Sequence, residues 1–121
     1  MLSVEELSRG RRGTVCALVV DGRDEVAGFL NDLPLPLFSK LEGMIERLAN
    51  DGFIANQEKF RRLDAGVYEL KLWRPPLRMF CFQHGSDWVC THADRKPGGR
   101  ELRSHVARVK VLRQRYLEER R

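Results

Sequence analysis

Lys71, Arg78 and His92 are the side chains whose types best suit chemistry on a phosphate, and they fall on three successive strand-like segments, 67–73, 77–83 and 87–93. Arginine presents a planar fork of donors that grips phosphate oxygens in pairs, while lysine offers a compact charge on a flexible stem. An unperturbed imidazole titrates at about pH 6.5 and so changes charge close to neutrality. If Arg74-Pro75-Pro76 closes a turn that sets Lys71 opposite Arg78, the two cations share one sheet face. A slip of one residue sends them to opposite faces. Each has an ordinary alternative: a pair of sheet cations balanced by Glu69, and a histidine that hydrogen-bonds its loop.

The charge balance points to the same kind of partner. The 121-residue chain carries a net +5, but Arg95 to Arg121 hold ten Lys/Arg against three Glu, a local +7 that leaves −2 for the remainder. A basic C-terminal third predicts an anionic partner, nucleic acid or an acidic protein. Cys16, Cys81 and Cys90 are odd in number, sit in apolar runs and form no CxxC pair. They read as reduced, buried thiols, and neither a metal site nor a small-molecule cofactor is expected. Hydrophobic residues make up 42% of the chain, too many for disorder, and no apolar run approaches the roughly 20 residues that span a bilayer. The opening Met1-Leu2-Ser3-Val4-Glu5-Glu6 lacks the apolar stretch of a secretion signal, so a soluble, cytoplasmic protein is expected.

These side chains need a sheet to hold them. Residues 1–13, with Arg9-Gly10-Arg11-Arg12-Gly13, read as a flexible leader, and 14–121 as one domain. Thr14 to Val20 is β-branched and apolar, a strand. Val26, Phe29, Leu30 and Leu33 recur at helical steps until Leu33-Pro34-Leu35-Pro36 interrupts them. Leu37, Leu41, Met44, Ile45 and Leu48 form a second stripe, stopped by Asn50-Asp51-Gly52. Phe53 to Gly66 reads as a polar connector. Three strands follow as a meander, in which Tyr68 and Trp88 are expected to pack rather than to stack on a ligand. A last helix from about Arg100 to Glu119 carries the stripe Leu102, Val106, Val109, Leu112 and Tyr116. The expected class is α+β: a small antiparallel or mixed sheet of about four strands, packed by an N-terminal helical hairpin and a C-terminal helix.

That order of elements, with Leu63-Asp64-Ala65-Gly66-Val67-Tyr68-Glu69-Leu70-Lys71, resembles the RelE/HigB family of bacterial toxins in the RelE/ParE superfamily, and more closely its phage-associated HigB-type branch. The family's strand arginine corresponds to Arg78 in Leu77-Arg78-Met79-Phe80, and its later basic segment to His92-Ala93-Asp94-Arg95-Lys96. Asp94 stands where the family shows an aromatic residue, and Pro97 where it shows a second lysine. The resemblance spans about residues 15 to 116. It implies a ribosome-dependent mRNA endonuclease (an mRNA interferase) that works without a metal by attack of the 2′-hydroxyl on the neighbouring phosphate. Lys71 would then transfer a proton or bind phosphate, Arg78 would stabilise the developing charge, and His92 would act near neutral pH. Arg95 and Lys96, and less strongly Arg61, Arg62 and Arg74, would hold the RNA backbone. The implied partners are the ribosome with its mRNA and a cognate antitoxin, a helix-turn-helix protein. The departures at Asp94 and Pro97 keep an alternative open: a ParE-like gyrase-binding toxin, or a catalytically silent phage-encoded binding protein.

Overall fold

A computed structural model describes residues 1–72, 76–95 and 99–120 of the chain. The apolar run at 14–20 is β2 (Thr14–Val20), preceded by β1 (Leu2–Arg9) and followed by a two-residue β3 (Arg23–Asp24). Helices α1 (Glu25–Asn31) and α2 (Leu35–Asp51) come next, separated by the prolines that interrupt the stripe. Strands β4 (Phe60–Asp64), β5 (Val67–Leu72), β6 (Leu77–His84) and β7 (Asp87–Asp94) then lead to α3 (Gly99–Glu119). Asp24 caps α1 by accepting a hydrogen bond from the Ala27 N–H, and Gly52, at φ 83°, closes α2 by donating to the Leu48 carbonyl.

Among the described residues the strands form one seven-stranded mixed sheet in the order β1-β2-β7-β6-β5-β4, with β3 pairing β2. All neighbours are antiparallel except β2 and β7, which run parallel with Val15 opposite Trp88. Interior strands β2, β6 and β7 are buried along most of their length, because helices cover both faces. On one face α1 and α2 bury Val26, Leu30, Leu41, Ile45 and Leu48 against Ala17, Leu70, Met79, Cys81, Trp88 and Cys90. Phe60, Tyr68 and Trp88 form an aromatic cluster there, with ring centroids 4.9–5.5 Å apart. On the other face α3 lays Val109, Leu112 and Tyr116 over Leu2, Leu18, Val67, Phe80, Phe82 and Val89.

The expected sheet of about four strands packed by an N-terminal helical hairpin is therefore corrected. The sheet has seven strands, and three of them precede the helices where one was expected. α1 lies mainly over β7 and β2, and α2 over β1 and β2, so each packs on the sheet and the two do not form a hairpin unit. The segment expected as a leader is β1, paired with β2 from Leu2 to Arg9, and the polar connector contains β4. Both are edge strands. Their charged residues, Glu5 and Glu6 in one and Arg61 and Arg62 in the other, hide the alternation that marks an interior strand while protecting the open edges.

The turn after β1 is wedged into place. A Cβ on Gly13 would stand 2.1 Å from the Ser86 carbonyl oxygen. Gly13→Ala must therefore push two backbones apart, and a loss of about 2–3 kcal/mol is expected. A lower urea midpoint at unchanged slope would show it.

One irregularity decides what β7 presents. Phe80 pairs with His92 but Cys81 pairs with Cys90, so Thr91 is an extra residue, a β-bulge. Before the bulge, Trp88 and Cys90 face α1 and α2. After it, His92 and Asp94 face α3, and the parity that strict alternation gives His92 is reversed.

Candidate functional site

The site lies on the α3 face, where β7 ends and β6 begins. The register sets Lys71 opposite Arg78, and Arg78 opposite Asp94, so the three form one row across β5, β6 and β7. Adjacent strands are about 4.8 Å apart, which places the ends of the row roughly 10 Å apart across Arg78. Lys71 also borders a hollow beside Lys40, Glu58 and Lys59.

Behind Asp94 runs a hydrogen-bonded series. Asp94 Oδ2 meets His105 Nε2 at 2.9 Å, His105 Nδ1 meets His92 Nε2 at 2.9 Å, and His92 Nδ1 meets Thr91 Oγ1 at 2.7 Å. One consistent polarity satisfies all three contacts. The Thr91 hydroxyl donates to His92, the His92 Nε2–H to His105, and the His105 Nε2–H to the Asp94 carboxylate. With a second proton on His105 the inner two bonds can reverse, because each imidazole can then donate from the opposite nitrogen. Both rings rest on Phe80, whose centroid lies 5.0 Å from His92 and 4.6 Å from His105. The series is closed at one end and open at the other: His92 is 1% exposed, while the side chains of His105 and Asp94 are 17% and 32% exposed.

Burial, with the Arg108 and His105 charges next, pushes His92 down to about 4, so it is neutral at pH 7. Arg108 is itself tied to Glu25 at the start of α1 by two hydrogen bonds of 2.7 and 3.1 Å. That guanidinium holds the Glu25 carboxyl below its ordinary range.

The His92 shift sets an acid limit on stability. From about pH 6.5 down to about 4 the unfolded chain takes up a proton at His92 that the folded chain refuses. Stability is therefore full above the ordinary histidine value and is lost as the pH falls through this window, by about 2 kcal/mol at about pH 5. Urea unfolding at about pH 7 and about pH 5 should show this drop, and His92→Gln should flatten it. An equal drop in both proteins would refute the assignment.

A second cluster supports the middle of the row. Glu69 is 0% exposed and lies between two arginines. Arg61 reaches its Oε1 with Nε at 3.1 Å and an Nη at 2.9 Å, and Arg78 Nη1 stands 3.4 Å from Oε2. Glu69 Oε2 and Arg78 Nη1 are both buried without a hydrogen bond. The Arg78 guanidinium is thus aimed by a carboxylate, and its side chain keeps 17% exposure.

Of the residues expected from sequence, the structure brings Lys71, Arg78, His92 and Arg61 to this face. Arg62 pairs with Tyr68, on the opposite parity, and bonds the Asp64 carbonyl. Arg95 is exposed just past β7. Arg74 and Lys96 lie outside the described residues. His105, Asp94 and Thr91 were not expected as site residues. His105 had a legible signal, since it falls three residues after Leu102 and four before Val109, on the buried stripe of α3.

Among the described residues no group of three or more His, Cys, Asp and Glu is placed to hold a metal ion, and no helix is long and apolar enough to cross a membrane. In comparison with known proteins, the chain matches no protein-family model, no curated protein and no solved structure.

Proposed function

We propose that this row is an RNA-cleaving site in which Asp94 receives the proton of a 2′-hydroxyl, Arg78 holds the phosphate, and the Lys71 ammonium gives a proton to the departing 5′-oxygen. The oxygen of the 2′-hydroxyl bonds to phosphorus and the bond from phosphorus to the 5′-oxygen breaks, which leaves a 2′,3′-cyclic phosphate and a 5′-hydroxyl. In-line displacement needs its base and its acid on opposite sides of the phosphate, and Asp94 and Lys71 flank Arg78 in that way. The observation that carries the reading is the Asp94–His105–His92–Thr91 series, which ends in a partly exposed carboxylate one strand from Arg78. The His105 Nε2–H donates to Asp94 from behind and leaves the carboxylate's remaining lone pairs to accept a proton. The positive charge of the C-terminal third fits a polyanionic substrate.

The sheet departs from the layout that the RelE/HigB resemblance implied, so the chemistry of the row carries this reading. The resemblance supplies its biological setting: mRNA on the ribosome as substrate, and a cognate antitoxin as the protein that silences the site.

The test is cleavage by purified, antitoxin-free protein in a translating extract and on bare single-stranded RNA, with a chelator present. The expected products end in 2′,3′-cyclic phosphate and 5′-hydroxyl. Intact RNA in both settings would defeat the proposal.

One observation favours a second reading, a gyrase-binding or otherwise non-cleaving module. Glu69 already engages Arg78, so this cation has a structural task of its own. Gyrase-dependent DNA breaks with intact mRNA would decide for that reading.

A further inference from the structure

The end of the sheet remote from Asp94 carries a second basic feature that the cleavage reading does not use. The turn from Gly10 to Gly13 folds over the C-terminal end of α2 and, with Phe53, encloses an open hollow of about 470 Å³. Volumes of roughly 300–1,000 Å³ are usual for small-molecule sites. Arg11, Arg12 and Arg47 line it, with Asp51 as the one acid among its lining residues.

This turn is a built platform. The backbone N–H groups of Arg12 and Gly13 both donate to the Ala49 carbonyl, at 3.0 and 3.2 Å, and the Arg11 N–H donates to Asn50 Oδ1 at 3.2 Å. A Cβ on Gly10 would meet the Ala49 carbonyl carbon at 2.5 Å, which shows how closely the turn sits on the helix. The Trp88 indole N–H donates to the Gly52 carbonyl at 3.2 Å and fixes the helix end beneath. The arginine backbones are therefore held before any ligand arrives.

Asp51 is shared thinly. It stands 3.5 Å from Arg11 and 3.9 Å from Arg47, which leaves the cluster with a formal +2. Arg12 has no ion pair among the described residues. Beside these cations lies Phe53, 59% exposed and the one exposed Phe, Tyr or Trp ring among the described residues. A phenyl ring left in water next to converging guanidinium groups suits a ligand with an anionic part and a flat part. Phosphate oxygens take the arginine forks, and a nucleobase stacks on the ring.

We infer that this hollow binds a nucleoside 5′-phosphate, with its phosphate on Arg12 and Arg11 and its base on Phe53. The nucleotide can be free or a unit of a single strand; the recognising chemistry is the same. The inference stands whether or not the Asp94 row cleaves RNA.

Calorimetric titration of the full chain with uridine 5′-monophosphate, inorganic phosphate and a seven-nucleotide oligodeoxyuridine tests it. The oligodeoxyuridine has no 2′-hydroxyl, so cleavage cannot enter the readout. Binding of the oligomer is expected, and Arg12→Glu should weaken it at least about tenfold. Phe53→Ala should weaken nucleotide binding about five- to tenfold while leaving inorganic phosphate unaffected. Both pocket residues are exposed, and an unchanged thermal midpoint will show that each variant folds. Binding of the monophosphate as well as the oligomer identifies a free-nucleotide site, and binding of the oligomer alone identifies a strand contact. The inference is overturned if no probe binds, if Arg12→Glu binds as well as the parent protein, or if Phe53→Ala affects phosphate and nucleotide alike.

Discussion

Replacing Glu69 with alanine is expected to cost about 3–5 kcal/mol, the range found when one partner of a buried ion pair is removed. The carboxylate is fully buried and is the shared anion of Arg61 and Arg78. Arg61 is half in water and can turn outward when its partner is lost. Arg78 cannot: its side chain is 17% exposed, and its Nη1 is buried already without a hydrogen bond. Removing the carboxylate leaves that guanidinium as a largely buried, uncompensated charge. The cost should fall mainly on Arg78, so Glu69→Leu combined with Arg78→Leu should recover much of the stability that Glu69→Ala loses. Urea unfolding of the three variants measures this. A loss below about 1 kcal/mol for Glu69→Ala would put the pair in the class of exposed ion pairs and remove the argument that it aims Arg78.

The same residues show what the sequence discloses and what it withholds. Apolar stripes placed α2 and α3, an unbroken apolar run placed β2, and shorter apolar stretches between turn signals placed β6 and β7, because interior elements advertise their burial in composition. β1 and β4 were illegible for the converse reason. An edge strand is defined by the neighbour it pairs with, and residues such as Glu5, Glu6, Arg61 and Arg62 are compatible with either a strand or a loop. In the site, Lys71 and Arg78 were readable as a conditional pair, and the register sets them opposite each other.

His92 was readable as a residue but not as a direction. Counting by twos from Trp88 and Cys90 puts it on the α2 face, and the bulge at Thr91 puts it on the other. A bulge has no compositional mark here, since threonine is at home in any strand. His105 was hidden differently. It sits in a helix whose basic residues draw attention outward, and only its place between Leu102 and Val109 shows that it points in. Asp94 looked like erosion of a basic motif. It becomes intelligible once His105 is found at its back, because a carboxylate supported by an imidazole is a proton acceptor and not merely a missing cation.

That relationship yields the largest functional effect expected of a single atom exchange. Asp94→Asn keeps the shape of the side chain but removes the acceptor, and kcat for RNA cleavage should fall by about 10²–10⁴ with RNA binding unchanged. His105 acts through Asp94 and not on the substrate, so it is a positioning residue whose loss has a different signature. His105→Phe keeps the packing on Phe80 but interrupts the series at its centre, leaving His92 Nε2 and Asp94 Oδ2 without that partner. It should lower kcat by about 10–10², leave KM unchanged and shift the acidic limb of the pH–rate profile, since the base has lost the donor that stabilises its ionised form. A purely structural role would instead lower the folded fraction and scale all rates alike at every pH. If Asp94→Asn cleaves as the parent protein does, the proton acceptor is elsewhere. Arg78 with its buried Glu69 would then stand as a structural pair, and the row as a binding surface without chemistry.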